Sequence, residues 1–265
     1  MTVKEFGYKK DENRQLDMIR NFKLTIEYDG TNYHGWQRQK WQISIQQTIE
    51  QALEKITQSK INLTGAGRTD ARVHALAQVA NFSCNTKISA RAFQKGLNSL
   101  LPPDIVILEC VPVNEAFHAR YDVKSKIYHY RILNQELASA INRKYVWHIS
   151  KKLDINSMHN ALPHIIGNHD FKAFQGAGSP RPSTIRHIMS AAFVQESSNQ
   201  LVFKIQGNGF LRFMVRNIVS TLVCVGLGKI KPDDLLKIRE SKDRANAGPT
   251  APPHGLFLVK VLYEL

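Results

Sequence analysis

Arg68, Thr69 and Asp70, with His74 shortly after them, are the residue types in this chain best suited to chemistry, and they follow Gly65-Ala66-Gly67. A carboxylate beside a guanidinium can act as a nucleophile or stabilise a developing cation. From these four residues alone, an Arg68–Asp70 ion pair that holds a turn is the simpler reading. A dinucleotide loop does not fit, because the third glycine of that fingerprint is replaced by Asp70, whose charge would repel a pyrophosphate. The glycines instead let a loop turn tightly and bring its backbone close to a ligand. His159, His164 and His169 are spaced by five, which does not align imidazoles on one helix face, and Pro163 interrupts them, so no metal site is expected. Asp233 and Asp234 are better explained as charge at a helix N-terminus than as a two-metal carboxylate pair. Tyr128 and Tyr130 share a strand face; core packing is the ordinary use of such a pair, and stacking on a base the sharper one.

The elements that must position these groups are legible from periodicity. Phe22, Leu24, Ile26 and Tyr28 alternate with polar residues as in a half-buried strand. Ser44 and Gln47 form a capping-box pair ahead of Ile45, Ile49, Ala52, Leu53 and Ile56, which predicts a helix. Short strands are predicted from Ile61 to Thr64 and from Gln78 to Ser83. A second helix should run from about Ser89 to the Pro102-Pro103 stop, and a strand from Ile105 to Val111. This β-α-β-β-α-β order is the split βαβ, or ferredoxin-like, unit, with both helices on one face of an antiparallel sheet. Further on, 126–133 and 201–206 alternate as strands, Phe213 to Val225 is an apolar helix, Pro232 opens another, and 256–263 closes as a strand. No sequence repeat links the halves. The expected division is a charged extension at 1–20, a ferredoxin-like domain at 21–113 and an α+β domain at 114–265.

Composition narrows the partner. With 36 Lys and Arg against 22 Asp and Glu, the net charge is +14, which attracts polyanions, nucleic acid first. No apolar run is long enough to span a membrane and the start lacks a secretory signal, so a cytoplasmic protein is expected. Cys84, Cys110 and Cys224 lie far apart and read as buried thiols.

Taken together, three long motifs change the reading of the single residues. Tyr28-Asp29-Gly30-Thr31-Asn32-Tyr33-His34-Gly35-Trp36-Gln37, Gly67-Arg68-Thr69-Asp70-Ala71-Arg72-Val73-His74-Ala75 and Phe117-His118-Ala119-Arg120 resemble the TruA family of tRNA pseudouridine synthases. Lys126-Ile127-Tyr128-His129-Tyr130, Gly167-Asn168-His169-Asp170-Phe171, the run from Gly209 to Arg216, and Pro252-Pro253-His254-Gly255-Leu256 continue the likeness in the same order over about 22–264. The resemblance implies an α+β fold of two ferredoxin-like halves with mainly antiparallel sheets, a basic cleft between them, and a homodimer that holds tRNA. It also implies isomerisation of uridine in the anticodon stem-loop without any cofactor. Asp70 takes the nucleophile's place, Tyr128 that of the active-site tyrosine, and Arg216 that of the aspartate's cationic partner, expected to keep it ionised. Arg68 resembles the arginine that holds the target base outside the helix, and Leu256 an apolar residue lining the pocket.

The chain departs from the family at Arg72, where glycine is usual. Glycine would permit backbone geometry that arginine disfavours, so either the loop needs no positive φ or its shape differs slightly, and Arg72 adds a cation beside the RNA path. Two rival functions are distinguishable. A pure RNA-binding module gains nothing from a carboxylate beside phosphates, and a hydrolytic N-glycosylase would release free uracil.

Overall fold

A computed structural model of the chain describes residues 19–178 and 182–264. Most of the expected charged extension at 1–20 therefore lies outside the described residues. The first unit consists of β1 (Ile19–Tyr28), α1 (Ile45–Thr57), β2 (Thr64–Gly65), β3 (His74–Asn85), α2 (Ala90–Leu100) and β4 (Ile105–Val113). The second consists of β5 (Ser125–Asn134), β6 (Trp147–Ile149), α3 (Ile155–Ala161), β7 (Gly167–Asp170), β8 (Ile185–Gln195), β9 (Gln200–Gly207), α4 (Met214–Gly226), α5 (Asp234–Ser241) and β10 (Leu256–Leu262).

Local chemistry sets the helix starts. The Ser44 hydroxyl accepts the Gln47 N–H and the Ser89 hydroxyl the Ala92 N–H, each satisfying a donor the helix itself leaves free. Ile45, Ile49, Ala52 and Leu53 of α1 are buried along one stripe, as their spacing predicts. Phe22, Phe82 and Phe93 join strand to helix in the first core, with ring centroids 5.0–5.4 Å apart. The strand predicted at Ile61 to Thr64 is reduced to Thr64–Gly65. Side chains of α1 take its place as backbone partners: Glu50 accepts the Leu63 N–H and Gln46 donates to the Leu63 carbonyl.

Strand order in the first unit is β4-β1-β3-β2, and β10-β5-β9-β8 in the second, each the antiparallel order of a split βαβ unit. The two units share one ten-stranded sheet, because β10 pairs antiparallel with β5 and, through Phe257 opposite His74 and Leu258 opposite Ala75, parallel with β3. β7 extends the second unit at the far edge and β6 pairs with β5. Cys84 and Cys110 are buried free thiols, and Cys224 is half-buried. Among the described residues, no helix is long and apolar enough to cross a membrane.

Leu258 is fully buried at the seam between the two units. Leu258→Ala should destabilise the protein by about 2–5 kcal/mol, the range for deleting a packed leucine side chain, as read by urea unfolding. A loss below about 1 kcal/mol would mean that the seam contributes little to holding the units together.

Candidate active site

The Asp70 loop runs from the end of β2 to the start of β3 and lies in a cradle built by the first motif. The Trp36 backbone N–H donates to the Thr69 carbonyl at 3.1 Å, and the Arg72 backbone N–H to the Tyr33 carbonyl at 3.1 Å. The Tyr28 and Thr69 hydroxyls lie 2.7 Å apart in a buried contact. The fit requires two bare backbones. A Cβ on Gly35, whose φ is +89°, would fall 2.5 Å from the Thr69 carbonyl oxygen, and one on Gly30 only 2.1 Å from that of Val73. His74 does not line the cleft: it is buried, stacks on Phe257 at 4.7 Å, and places Nε2 3.1 Å from the Lys144 carbonyl. Burial lowers its pKa, outweighing nearby Asp29, so the ring favours its neutral form.

The loop opens onto a cleft of about 1200 Å³ lined from both units. Among the described residues Asp70 is the one carboxylate lining it, against seven Lys or Arg side chains. From the first turn of α4, Arg216 Nη1 meets Asp70 Oδ2 at 3.1 Å, and its Nε donates to the Ala251 carbonyl at 2.7 Å. The expected pair is therefore present, and its second anchor fixes the guanidinium's direction. The electrostatic balance differs from expectation. Burial lifts the Asp70 carboxyl above its ordinary range, and Arg216, with Arg212 behind it, reverses only part of that rise.

The other sequence candidates separate clearly. Arg68 is exposed at the cleft and makes no ion pair with Asp70, which corrects the simple turn reading. Tyr128 lines the cleft with its ring edge-on to Phe210 at 5.1 Å, whereas Tyr130 is core and donates its hydroxyl to the Pro252 carbonyl at 2.7 Å. Leu256 forms a buried part of the wall. His159, His164 and His169 are dispersed, against Phe193, Asp233 and the Ile166 carbonyl respectively. Asp234 at the start of α5 accepts the Lys231 N–H and pairs with Lys237.

Arg72 fits neither alternative drawn from its departure. The loop keeps a left-handed backbone with arginine in place, at φ 64°, in a turn closed by the Val73 N–H on the Asp70 carbonyl. Phe213, just before α4, is also left-handed at φ 62°. Its ring carries the guanidinium carbons of Arg212 and Arg216 at 4.6 and 4.9 Å. Sequence periodicity could not single out Phe213, because its role depends on backbone geometry. Lys126 also lines the cleft, and its two-residue spacing from Tyr128 was the available signal.

Comparison with known proteins adds an independent finding. The family model described as tRNA pseudouridine synthase matches residues 24–122 and 161–264. The tRNA pseudouridine synthase A of Thermoanaerobacter sp. (strain X514) is 49% identical over 245 residues, 92% of this chain and the whole of the relative. That of Acetivibrio thermocellus is equally similar, at 49% over the same extent. A Clostridium tetani protein, tRNA pseudouridine synthase A 2, is 47% identical over 250 residues, covering 93% of this chain and all of its own length.

The left-handed Arg72 leads to a stability test. Arg72→Gly should raise stability by about 1 kcal/mol in thermal unfolding, since an L side chain costs roughly 1–2 kcal/mol there and glycine's backbone entropy offsets part of the gain. Arg72→Val should lower it, and the opposite order would contradict the turn geometry.

Proposed function

This chain belongs to the tRNA pseudouridine synthase family, and from that premise we propose that Asp70 is the nucleophile with which it converts uridine to pseudouridine in tRNA. The observation that carries the assignment is that, among the described residues, one carboxylate stands in a cleft lined by seven cations. Such a cleft suits a polyanion, and pure binding would leave that carboxylate without a use.

The reaction is an isomerisation. The C1′–N1 bond breaks, a C1′–C5 bond forms, C5 loses a proton and N1 gains one, so atoms and charge balance with no redox partner. Cleavage leaves positive character on the sugar, which an ionised carboxylate can stabilise or capture. Burial makes Asp70 harder to ionise but leaves its carboxylate poorly solvated and close to the substrate, while Arg216 stabilises the charged form and aims it. The detached uracil must turn before it rebonds. Tyr128 offers a ring to stack on it, and Leu256 an apolar wall. Extruding the base from the anticodon stem-loop costs a few kcal/mol of stacking, offset by backbone contacts and by Arg68 at the mouth. The units 21–113 and 114–265 act as the two walls that hold the RNA, in a homodimer working in the cytoplasm.

Asp70→Asn should leave tRNA affinity nearly intact while single-turnover pseudouridine formation drops on the order of 10⁴-fold or more. Turnover comparable with the unmodified protein would refute the assignment, and free uracil among the wild-type products would indicate hydrolysis instead. Stability should not fall. An acid whose folded pKa is raised opposes folding increasingly as pH climbs from its unfolded pKa to its folded one, so at neutral pH Asn removes a net unfavourable charge.

Arg216→Met removes the cation that lowers the Asp70 pKa, so that pKa should rise further. The reactive form is ionised, and the rate falls as pH drops through the pKa; the acidic limb of the single-turnover profile should therefore move to higher pH. An unchanged profile with only weaker tRNA binding would assign Arg216 to a phosphate.

A further inference from the structure

Lys126 is a cation in the cleft that has no ion-pair partner among the described residues. It stands on β5 two residues before Tyr128, so strand alternation carries both side chains to the same side. Its ammonium lies under the nucleophile loop: a Cβ on Gly67 would come within 2.6 Å of Lys126 Nζ. Among the described residues, no carboxylate forms an ion pair with Lys126 and no hydrogen bond reaches its Nζ.

The neighbours repel it rather than neutralise it. Arg120 faces it from the segment before β5 and Arg186 from β8. The loop above carries Arg68 and Asp70, and Asp70 is engaged by Arg216. On the flanking strands the residues opposite Lys126 are Val261 of β10 and Gly207 of β9, neither of which titrates. Lys126, crowded by two further cations and without a carboxylate partner among the described residues, is left short of a counter-charge, and a phosphodiester supplies it.

We propose that Lys126, flanked by Arg120 and Arg186, is a phosphate-binding residue that grips the RNA backbone beside the extruded uridine. The inference rests on the reading that this cleft holds tRNA. In the free protein, burial first and then the two arginines lower the Lys126 pKa to about 8. A phosphodiester against the ammonium raises it again. Binding above pH 8 therefore takes up a proton, a behaviour arginine cannot reproduce because it stays charged throughout this range.

The test compares the unmodified protein with Lys126→Arg and Lys126→Met, using an unmodified tRNA transcript at constant ionic strength. Between pH 7 and pH 9 the wild-type affinity should fall about tenfold, the ratio of protonated Lys126 at the two values for a pKa of about 8. Lys126→Arg should bind well and lose that decline. Lys126→Met should bind roughly tenfold more weakly at pH 7, show no decline, and have a log-log salt slope shallower by about 0.7–0.9, the value of one phosphate contact. Calorimetric titration at pH 8.5 in two buffers of different ionisation enthalpy should register proton uptake in the wild type and none in Lys126→Arg.

The proposal is overturned if Lys126→Arg keeps the wild-type pH decline, or if Lys126→Met keeps the wild-type affinity and salt slope. It is also overturned if Lys126→Met slows turnover at saturating tRNA while binding normally, which would put the ammonium on the base. Thermal unfolding of both variants identifies any loss due to misfolding, and Lys126→Arg retains the test if Lys126→Met does not fold. Failure of the wild type to form pseudouridine would count against the reading of the cleft itself, separately from Lys126.

Discussion

A carboxylate held in a cleft of opposite charge is pushed toward its neutral form by burial and toward its ionised form by a neighbouring cation, and the Asp70–Arg216 pair sets that balance. Its partners are 146 residues apart in the chain and belong to different ferredoxin-like units. The geometry therefore depends on both units being correctly joined. On one side, the first motif lays bare glycine backbone against the loop; on the other, α4 and the Ala251 carbonyl fix the guanidinium. Small errors in either support would alter distance and direction together, and reacting groups tolerate displacements well under 1 Å.

Strain gathers around the same pair. Arg72 follows the aspartate and Phe213 precedes the arginine, and each adopts a left-handed backbone although neither is glycine. Such conformations persist only where neighbours over-determine them. For Phe213 those neighbours are two guanidinium groups stacked on its ring and the bare backbone of Gly176, where a Cβ would lie 2.4 Å from the ring. For Arg72 they are the hydrogen bond to Tyr33 and the turn across Asp70.

Much of this was legible in the sequence for identifiable reasons. Helix caps at Ser44 and Ser89 and the alternation of β1 are local signals; they located both helices within a residue or two and the strand within three. Asp70, Tyr128, Arg216 and Leu256, all of which line the cleft, stand in the motifs. Three features were not legible because each arises from distant segments meeting. The β3–β10 pairing is only two residues long, the reduction of β2 depends on side chains reaching across from α1, and the net pKa direction at Asp70 depends on its depth of burial. The left-handed φ at Arg72 was hidden because the residue type argues against it.

The position of β10 also bears on how the protein comes into being. It is the last of the described strands in chain order, yet it occupies the interior of the sheet, with β3 on one flank and β5 on the other. During synthesis β1, β3 and β4 emerge early and can pair among themselves, but the edge of β3 that will receive Phe257 and Leu258 stays open until those residues, more than 170 positions further on, have left the ribosome. That open edge is a template for unwanted strand pairing during the interval. The nascent chain therefore carries Asp70 long before the sheet behind its loop is closed, and maturation of the cleft's geometry becomes a late event of biosynthesis.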